Sequence, residues 1–351
     1  MMTANKLTID LAKLVPYLES QVEGFKGPVT VKKFADGQSN PTYLLTAASG
    51  DYVLRAKPPG QLLKSAHAVD REYRVQQALA TTDVPVARVF HLCEDDDVIG
   101  SMFYLMDFVS GRIFWDAALP ALTAYERGSL FDELVSVLAQ MHNIKVDEVG
   151  LQEYGRSSGY FERQLALWIK QYRAAETQHI EAMENLMNWL SDNLPQDDGQ
   201  VSLIHGDYRL DNVIFQDAGT KALAVLDWEL STLGHPLADL AYFCMCLRLP
   251  PGGLIKGLAG IDRAQLGIPS EPEIVARYCQ LRHLQGIDHW HFYLAFSFFR
   301  LAAICQGVMK RALGGNASSG RAAEVGKLTE PLATMAVELI TDANTIKQRN
   351  P

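Results

Sequence analysis

The 351-residue chain has no run of 18 consecutive apolar residues, so no membrane-spanning helix is expected from it. Its opening, MMTANKLTID, lacks a basic segment followed by an apolar one, so a secretion signal is not expected either. Cysteine is sparse. The five residues are odd in number and irregular in spacing, and Cys244-x-Cys246 matches neither the zinc nor the redox CxxC pattern. Reduced thiols in a cytoplasmic protein are the expectation. There is no His-Glu-x-x-His spacing, internal repeat or low-complexity tract. Basic residues are in deficit, 32 Lys and Arg against 41 Asp and Glu, and the resulting charge of −9 argues against a nucleic-acid partner. With 48% apolar and 21% charged residues the composition is that of a soluble globular protein, and its length predicts two domains or two lobes.

What is present is strongly patterned. Residues 10–23 carry Leu11, Leu14, Val15, Leu18 and Val22 at helical spacing, closed by Gly24. From Val29 to Leu54 the period falls to that of strands. Val29, Val31 and Lys33 precede an Asp36-Gly37 turn, and Tyr43–Leu45 and Tyr52–Arg55 flank a turn at Ser49-Gly50-Asp51, giving sequential antiparallel strands. A break at Pro58-Pro59-Gly60 leads to a helix over about 68–80. Residues 86–93 and 101–108 read as strands around an acidic turn at 94–97. After Gly111 helices prevail. One covers 122–143, with Leu130, Leu134, Leu138 and Met141 on a stripe; another pattern runs from 160 to 192 with no turn cluster inside it. A strand pair around 201–226 precedes further helices, broken at 250–253 and 267–272. Strands first and helices second predict an α+β fold of two lobes.

The segment His205-Gly206-Asp207-Tyr208-Arg209-Leu210-Asp211-Asn212 lies between two apolar runs, and a further run, Ala222 to Leu226, ends in Asp227-Trp228-Glu229. A hairpin centred near Gly219-Thr220 sets Val213 opposite Leu226 and Asn212 beside Asp227. Two oxygen donors side by side suit Mg²⁺, which takes few protein ligands and keeps phosphates and waters. Asp207, in the preceding loop, is placed to accept the proton of an acceptor hydroxyl. His205 is either a second base or, as is more common, a hydrogen-bonded brace of the loop. The set points to phosphoryl transfer from a nucleotide to a small acceptor. A loop of ordinary turn-forming residues is the plain alternative, and a metal hydrolase using His205, Asp207 and His235 is another.

This segment resembles the catalytic loop of the aminoglycoside phosphotransferase and choline kinase superfamily, with Gly206 where protein kinases carry Arg. The resemblance implies an α+β, protein-kinase-like two-lobed fold, with an antiparallel β-rich N-lobe and a mainly helical C-lobe. It implies an N-lobe at 1–106, a hinge at 107–110, and a C-lobe at 111–351 containing the catalytic loop 205–212 and a metal-binding hairpin 212–227. ATP and Mg²⁺ are its implied cofactors. Asp207 is the implied base, Asn212 and Asp227 the metal ligands, and His205 and Asp239 (in Pro236-Leu237-Ala238-Asp239-Leu240-Ala241) the support of the loop. The stretch Asp36-Gly37-Gln38-Ser39-Asn40 takes the place of the nucleotide loop, so Ser39 and Asn40 are implied phosphate contacts, although Asp-Gly is also the commonest hairpin turn. Arg55 stands at the end of the third strand, where kinases carry a phosphate-binding Lys; Lys57 is its rival and Glu72 its implied ion-pair partner. Met106-Asp107-Phe108 matches the hinge, which implies that Met106 and Phe108 hold adenine through their backbones.

Residues 65–73, 297–302 and 314–318 resemble one subfamily: the kinase domain found N-terminal to some acyl-CoA dehydrogenases, and its stand-alone bacterial relatives. The match spans roughly 25–320, and with no dehydrogenase segment following, the stand-alone form is expected. The implied acceptor is the hydroxyl of a hydroxyacyl-CoA or hydroxy acid, with a CoA thioester among the candidate partners. The alternatives are an aminoglycoside, choline or homoserine-type kinase, or a nucleotide-binding pseudokinase, which Arg55 in place of Lys would favour. The aromatic run from Trp290 to Phe299 reads as core. Arg300 within it needs a partner, either a substrate anion or an internal carboxylate.

Overall fold

The computed structural model describes residues 9–34, 40–58, 68–315 and 321–349, with side chains to 342. In chain order the elements are α1 (Leu11–Gln21), β1 (Val29–Lys33), β2 (Thr42–Ala47), β3 (Gly50–Ala56), α2 (Val69–Leu79), β4 (Val89–Cys93), α3 (Asp96–Ile99), β5 (Phe103–Asp107), α4 (Ala124–Asn143), α5 (Tyr160–Ala175) and α6 (Glu181–Asp192). There follow β6 (Ser202–Ile204), β7 (Val213–Phe215), β8 (Ala222–Val225), β9 (Thr232–Gly234), α7 (Leu237–Arg248), α8 (Arg263–Leu266), α9 (Glu271–Leu281), α10 (Trp290–Leu313), α11 (Ala322–Gly326) and α12 (Thr329–Arg349).

Two compact units form. One comprises Met1–Ile113, Asp147–Leu151 and Asn212–Ser231; the other comprises Phe114–Val146, Gln152–Asp211 and Thr232–Pro351. The packing therefore does not follow a single division at 107–110, because the hairpin β7–β8 joins the first unit. Its backbone explains why. Arg112 and Phe215 exchange N–H···O bonds of 2.8 and 2.9 Å, and the Val225 N–H donates to Pro85 O at 2.8 Å. Gly111 makes room for this approach: a Cβ there would lie 2.3 Å from Phe215 O.

The sheet of the first unit is antiparallel, in the order β1-β2-β3-β5-β4. The β1–β2–β3 meander is the one expected from sequence. The insertion of β5 between β3 and β4 is not, since it is set by long-range pairing. The two-residue period sorts the side chains. Leu45, Leu54, Phe103 and Leu105 join Leu14 and Leu18 of α1 in one core, while Val53, Tyr104 and Met106 pack with Val69 of α2 on the other face. Arg55 shares the Val53 face, pairs with Tyr104 across the strands, and so points toward α2. The acidic stretch expected as a turn closes into α3, whose first turn is capped by the Asp95 carboxylate accepting from Asp97 N–H at 2.9 Å.

The second unit is mainly helical. α4 begins with a reciprocal Thr123–Glu126 capping box, and α7 is buried along almost its whole length. The helical pattern that runs unbroken through the sequence over 160–192 is interrupted between α5 and α6. Gln306 of α10 donates to Ala175 O and Thr177 Oγ1, both at 2.9 Å, and receives the end of α5 there. β9, too short to show a period in the sequence, pairs its three residues with β6. By length and composition α10 could cross a membrane, yet most of its apolar stretch is buried inside the protein, where Phe292, Phe296, Phe298 and Phe299 form core. The five cysteines are all buried and free of disulfides.

Candidate active site

In the first unit, three carboxylates converge on one guanidinium. Arg55 Nε lies 2.7 Å from Glu72 Oε2, and Arg55 Nη2 lies 2.7 Å from Asp227 Oδ1 and 3.6 Å from Glu229 Oε2. The Tyr104 hydroxyl donates to Glu72 Oε2 at 3.1 Å, and Asn40 Nδ2 donates to Glu72 Oε1 at 2.7 Å and to Glu229 Oε2 at 3.4 Å. Burial alone would lower the Arg55 pKa. The charges of Glu72, Tyr104, Asp227 and Glu229 outweigh burial, so the guanidinium stays firmly protonated. Burial pushes the Glu72 carboxyl up, to about 7; Arg55 opposes this while Asp227 and Glu229 add to it. Arg55 rather than Lys57 is thus the cation that meets Glu72. The Lys57 backbone is tied to the sheet edge, its N–H to Met102 O and its carbonyl to Ser101 Oγ.

The rim of the β7–β8 hairpin supplies Asp227 and Asn212. The expected register is off by one: Val213 faces Val225, because an irregularity between Ile214 and Phe215 takes up a residue of β8. Asn212 still adjoins the strand end, its carbonyl accepting from Leu226 N–H at 2.8 Å. Asp227 has left-handed φ and ψ of 64° and 55°, an uncommon state for a non-glycine residue that marks functional turns. Trp228 fixes this turn. It is buried, and its indole N–H donates to Val225 O at 2.9 Å, leaving Asp227 and Glu229 on either side. Asn212 and Asp227 offer oxygen ligands only, and Glu72, Asp227 and Glu229 leave excess negative charge around a single cation. This donor chemistry fits a hard divalent ion.

In the second unit, Asp239 organises the catalytic loop. It is buried near the start of α7, with Oδ2 accepting from His205 N–H at 2.6 Å and Oδ1 from Gly206 N–H at 2.8 Å. His142 Nε2 lies 3.3 Å from Oδ2, and its Nδ1 lies 2.7 Å from the Tyr278 hydroxyl. Burial acts to raise the Asp239 pKa, but His142 and His205 together hold it below the usual range. Burial also lowers the His142 pKa, keeping that ring neutral. His205 is fully buried, and its Nδ1 accepts the Asp207 N–H at 3.2 Å. The Asp207 carboxylate is held in turn by Arg209 Nε, 3.2 Å from Oδ1, and by the Tyr242 hydroxyl.

Of the remaining residues singled out from sequence, Ser39 and the Asp36-Gly37 turn lie outside the described residues. Asn40 turns its side chain to Glu72 and Glu229, joining the carboxylate cluster. Met106 lies inside the sheet, with Val53 and Val89 on its two sides; Phe108 leaves it with a half-exposed ring and a long N–H bond to Asp51 O. Arg300 lies with its guanidinium 5.8 Å from the centroids of both the Trp168 and Tyr242 rings. Sequence reading missed Tyr104, Glu229, Arg209, Tyr242 and His142. Only Glu229 had a local signal, its position two residues after Asp227.

An antiparallel sheet with α2 presenting Glu72 to Arg55, and a helical unit carrying a braced Asp207, together define a small-molecule kinase of the protein-kinase-like class. The chain belongs to the phosphotransferase enzyme family, whose model matches residues 30–290. It is an ATP-dependent phosphotransferase. Among solved structures, it is similar to that of a putative aminoglycoside phosphotransferase from Ralstonia eutropha, at 47% identity and a TM-score of 0.88, covering 95% of this chain and 99% of that one. A thermostable mutant of the aminoglycoside phosphotransferase APH(4)-Ia, in ternary complex with ADP and hygromycin B, shares the fold at a TM-score of 0.59 and 14% identity, covering 93% and 98% of the two chains. Curated relatives include mouse acyl-CoA dehydrogenase family member 10, 47% identical over 90% of this chain, and human acyl-CoA dehydrogenase family member 11, 42% identical over 94%. This chain spans only 30% and 43% of their respective lengths.

Proposed function

We propose that this chain transfers the γ-phosphate of ATP to the hydroxyl of a hydroxyacyl-CoA or hydroxy acid, with Mg²⁺ as cofactor. The observation that carries the reaction is the Asp207 carboxylate, held by Arg209 and Tyr242 on a loop that Asp239 braces through two backbone N–H groups. Asp207 accepts the acceptor's proton as the hydroxyl oxygen bonds to the γ-phosphorus and the bond to ADP breaks. Asn212 and Asp227 are the residues to hold Mg²⁺, which when bound neutralises phosphate charge. Arg55, fixed by Glu72, is the cation for the α- and β-phosphates, and the backbone around Met106 and Phe108 is the seat for adenine. The acceptor reading is supported by the acyl-CoA dehydrogenase names of the relatives. A phosphorylated hydroxyl is also a better leaving group, which suits a later elimination on an acyl chain.

The test of the acceptor is a panel of γ-hydroxyacyl-CoA, free hydroxy acids, aminoglycosides, choline and homoserine, read by ADP release and by product mass. The hydroxyacyl-CoA is expected to show kcat/KM at least about tenfold above any aminoglycoside; the opposite order sinks the assignment. For the nucleotide half, Arg55→Met is expected to weaken Mg·ATP binding by roughly tenfold or more, because it strips the shared cation from three carboxylates that then repel the phosphates. Calorimetric titration giving wild-type affinity for this variant would remove Arg55 from the phosphate site.

A further inference from the structure

A cavity of about 500 Å³ opens in the helical unit, bordered by the C-terminal end of α7, the start of α9, and α12. Cavities of this size seat small organic molecules. Leu258, Phe298, Met335 and Leu339 give it hydrocarbon walls. Five charged side chains also line it, in two groups. Arg248 and Glu271 close on each other through a fork of 2.6 and 2.8 Å, and the Trp290 indole N–H donates to the same carboxylate at 3.0 Å. Arg263, Glu338 and Asp342 form the second group. Arg263 is half-buried, and among the described residues its hydrogen bond is from Nη2 to the Leu247 carbonyl, at 3.2 Å. Burial lowers its pKa, and Glu271, the carboxylate that most opposes this, is already taken by Arg248. Arg263 also borders a neighbouring hollow, but there Asp132 pairs with Arg277 and Ser270 donates to Glu273. Glu338 and Asp342 stand one turn apart on α12, exposed, and without an ion-pair partner among the described residues.

A half-buried cation and two carboxylates thus share one cavity without pairing with each other. A guanidinium drawn out of water with no counter-ion favours an anionic ligand group, and unpaired carboxylates favour a cationic one. A ligand of one sign meets repulsion at one of the two walls. We infer that this cavity is a second ligand site, separate from the groups of phosphoryl transfer, and that it takes a zwitterionic chain of the ω-amino acid class. The ligand carboxylate pairs with Arg263, its ammonium with Glu338 and Asp342, and its methylenes lie against Leu258, Met335 and Leu339.

Calorimetric titration tests this with aminopentanoate, aminohexanoate and aminooctanoate, each carrying its amine at the chain end, against the alkanoate and the alkylammonium of the same length. The best-fitting amino acid is expected to bind wild type about tenfold more tightly than either singly charged probe of its length. Arg263→Gln is expected to abolish that advantage while leaving alkylammonium affinity unchanged. The double variant Glu338→Gln, Asp342→Asn is expected to abolish it while leaving alkanoate affinity unchanged. Both α12 positions are exposed, so the double variant keeps the test open should Arg263→Gln, which loses the Leu247 contact, fail to fold. Three results overturn the site: no binding of any of the amino acids by wild type, a singly charged probe that binds as tightly as the best of them, or a full preference retained in the double variant.

Discussion

Replacing Asp207 by Asn is expected to lower kcat by about three orders of magnitude, the middle of the range for removing a general base. Mg·ATP affinity should change by no more than about twofold, because Asp207 acts on the acceptor and the residues proposed for the nucleotide are Arg55, Asn212 and Asp227. The substitution preserves shape. The amide keeps the size and position of the carboxylate, which lies 3.2 Å from Arg209 Nε as an ion pair, and the backbone N–H keeps its bond to His205 Nδ1. What is lost is the capacity to take a proton. The loss should fall on kcat, not on the KM for ATP, and single-turnover mixing with the preferred acceptor separates the two. Wild-type single-turnover rates in the Asp207→Asn variant would remove Asp207 from proton transfer. A large rise in the ATP dissociation constant would instead assign it to the nucleotide.

Much of this architecture is legible in the residues, and the limits have physical causes. The period-two pattern over 29–56 carries the first three strands, and the same alternation sends Arg55 to the face where Glu72 waits on α2. The turn between β2 and β3 is local chemistry and nearly reads locally: it falls at Ala48-Ser49, with Gly50 and Asp51 of the expected turn already in β3. Strand order is not local: β5 enters beside β3 because Tyr104 pairs with Arg55 and packs under Tyr73, a contact spanning the intervening α2 and β4. The α5–α6 break depends on Gln306, about 130 residues further along, and nothing at 176–180 announces it. The one-residue register error in the β7–β8 hairpin arises from an irregularity that leaves no Gly or Pro signature. In the site, Asp207, Asn212 and Asp227 stand out by type and spacing. Tyr104, Tyr242, His142 and Arg209 acquire their roles only from what folding brings against them.

Asp239→Ala is expected to be the most destabilising single change at the site, by about 3–5 kcal/mol at pH 7, or roughly 5 °C in Tm. The carboxylate is buried and accepts from the His205 and Gly206 N–H groups, with His142 Nε2 at 3.3 Å from the same carboxylate. Truncation leaves these donors buried and unpaired, and the loop carrying Asp207 loses its tether. Activity should therefore fall even where the protein remains folded. The pH dependence distinguishes this cause from general loosening. Asp239 has a folded pKa below its unfolded value of 3.8, so its contribution is fully present above that pH and is lost as pH falls through the folded value. His142 acts in a higher window. Its folded pKa lies below 6.5, so below that pH the unfolded chain takes up a proton the folded one refuses, and wild type and variant both lose stability. Because Asp239 raises the His142 pKa against burial, its removal makes the variant lose more than wild type, so the stability gap measured by urea unfolding should widen somewhat from pH 7 to pH 5 and narrow only below about pH 4. A gap that closes by about pH 6 would place the stabilising charge on the histidines, and no gap at neutral pH would mean that the loop is held by something other than Asp239.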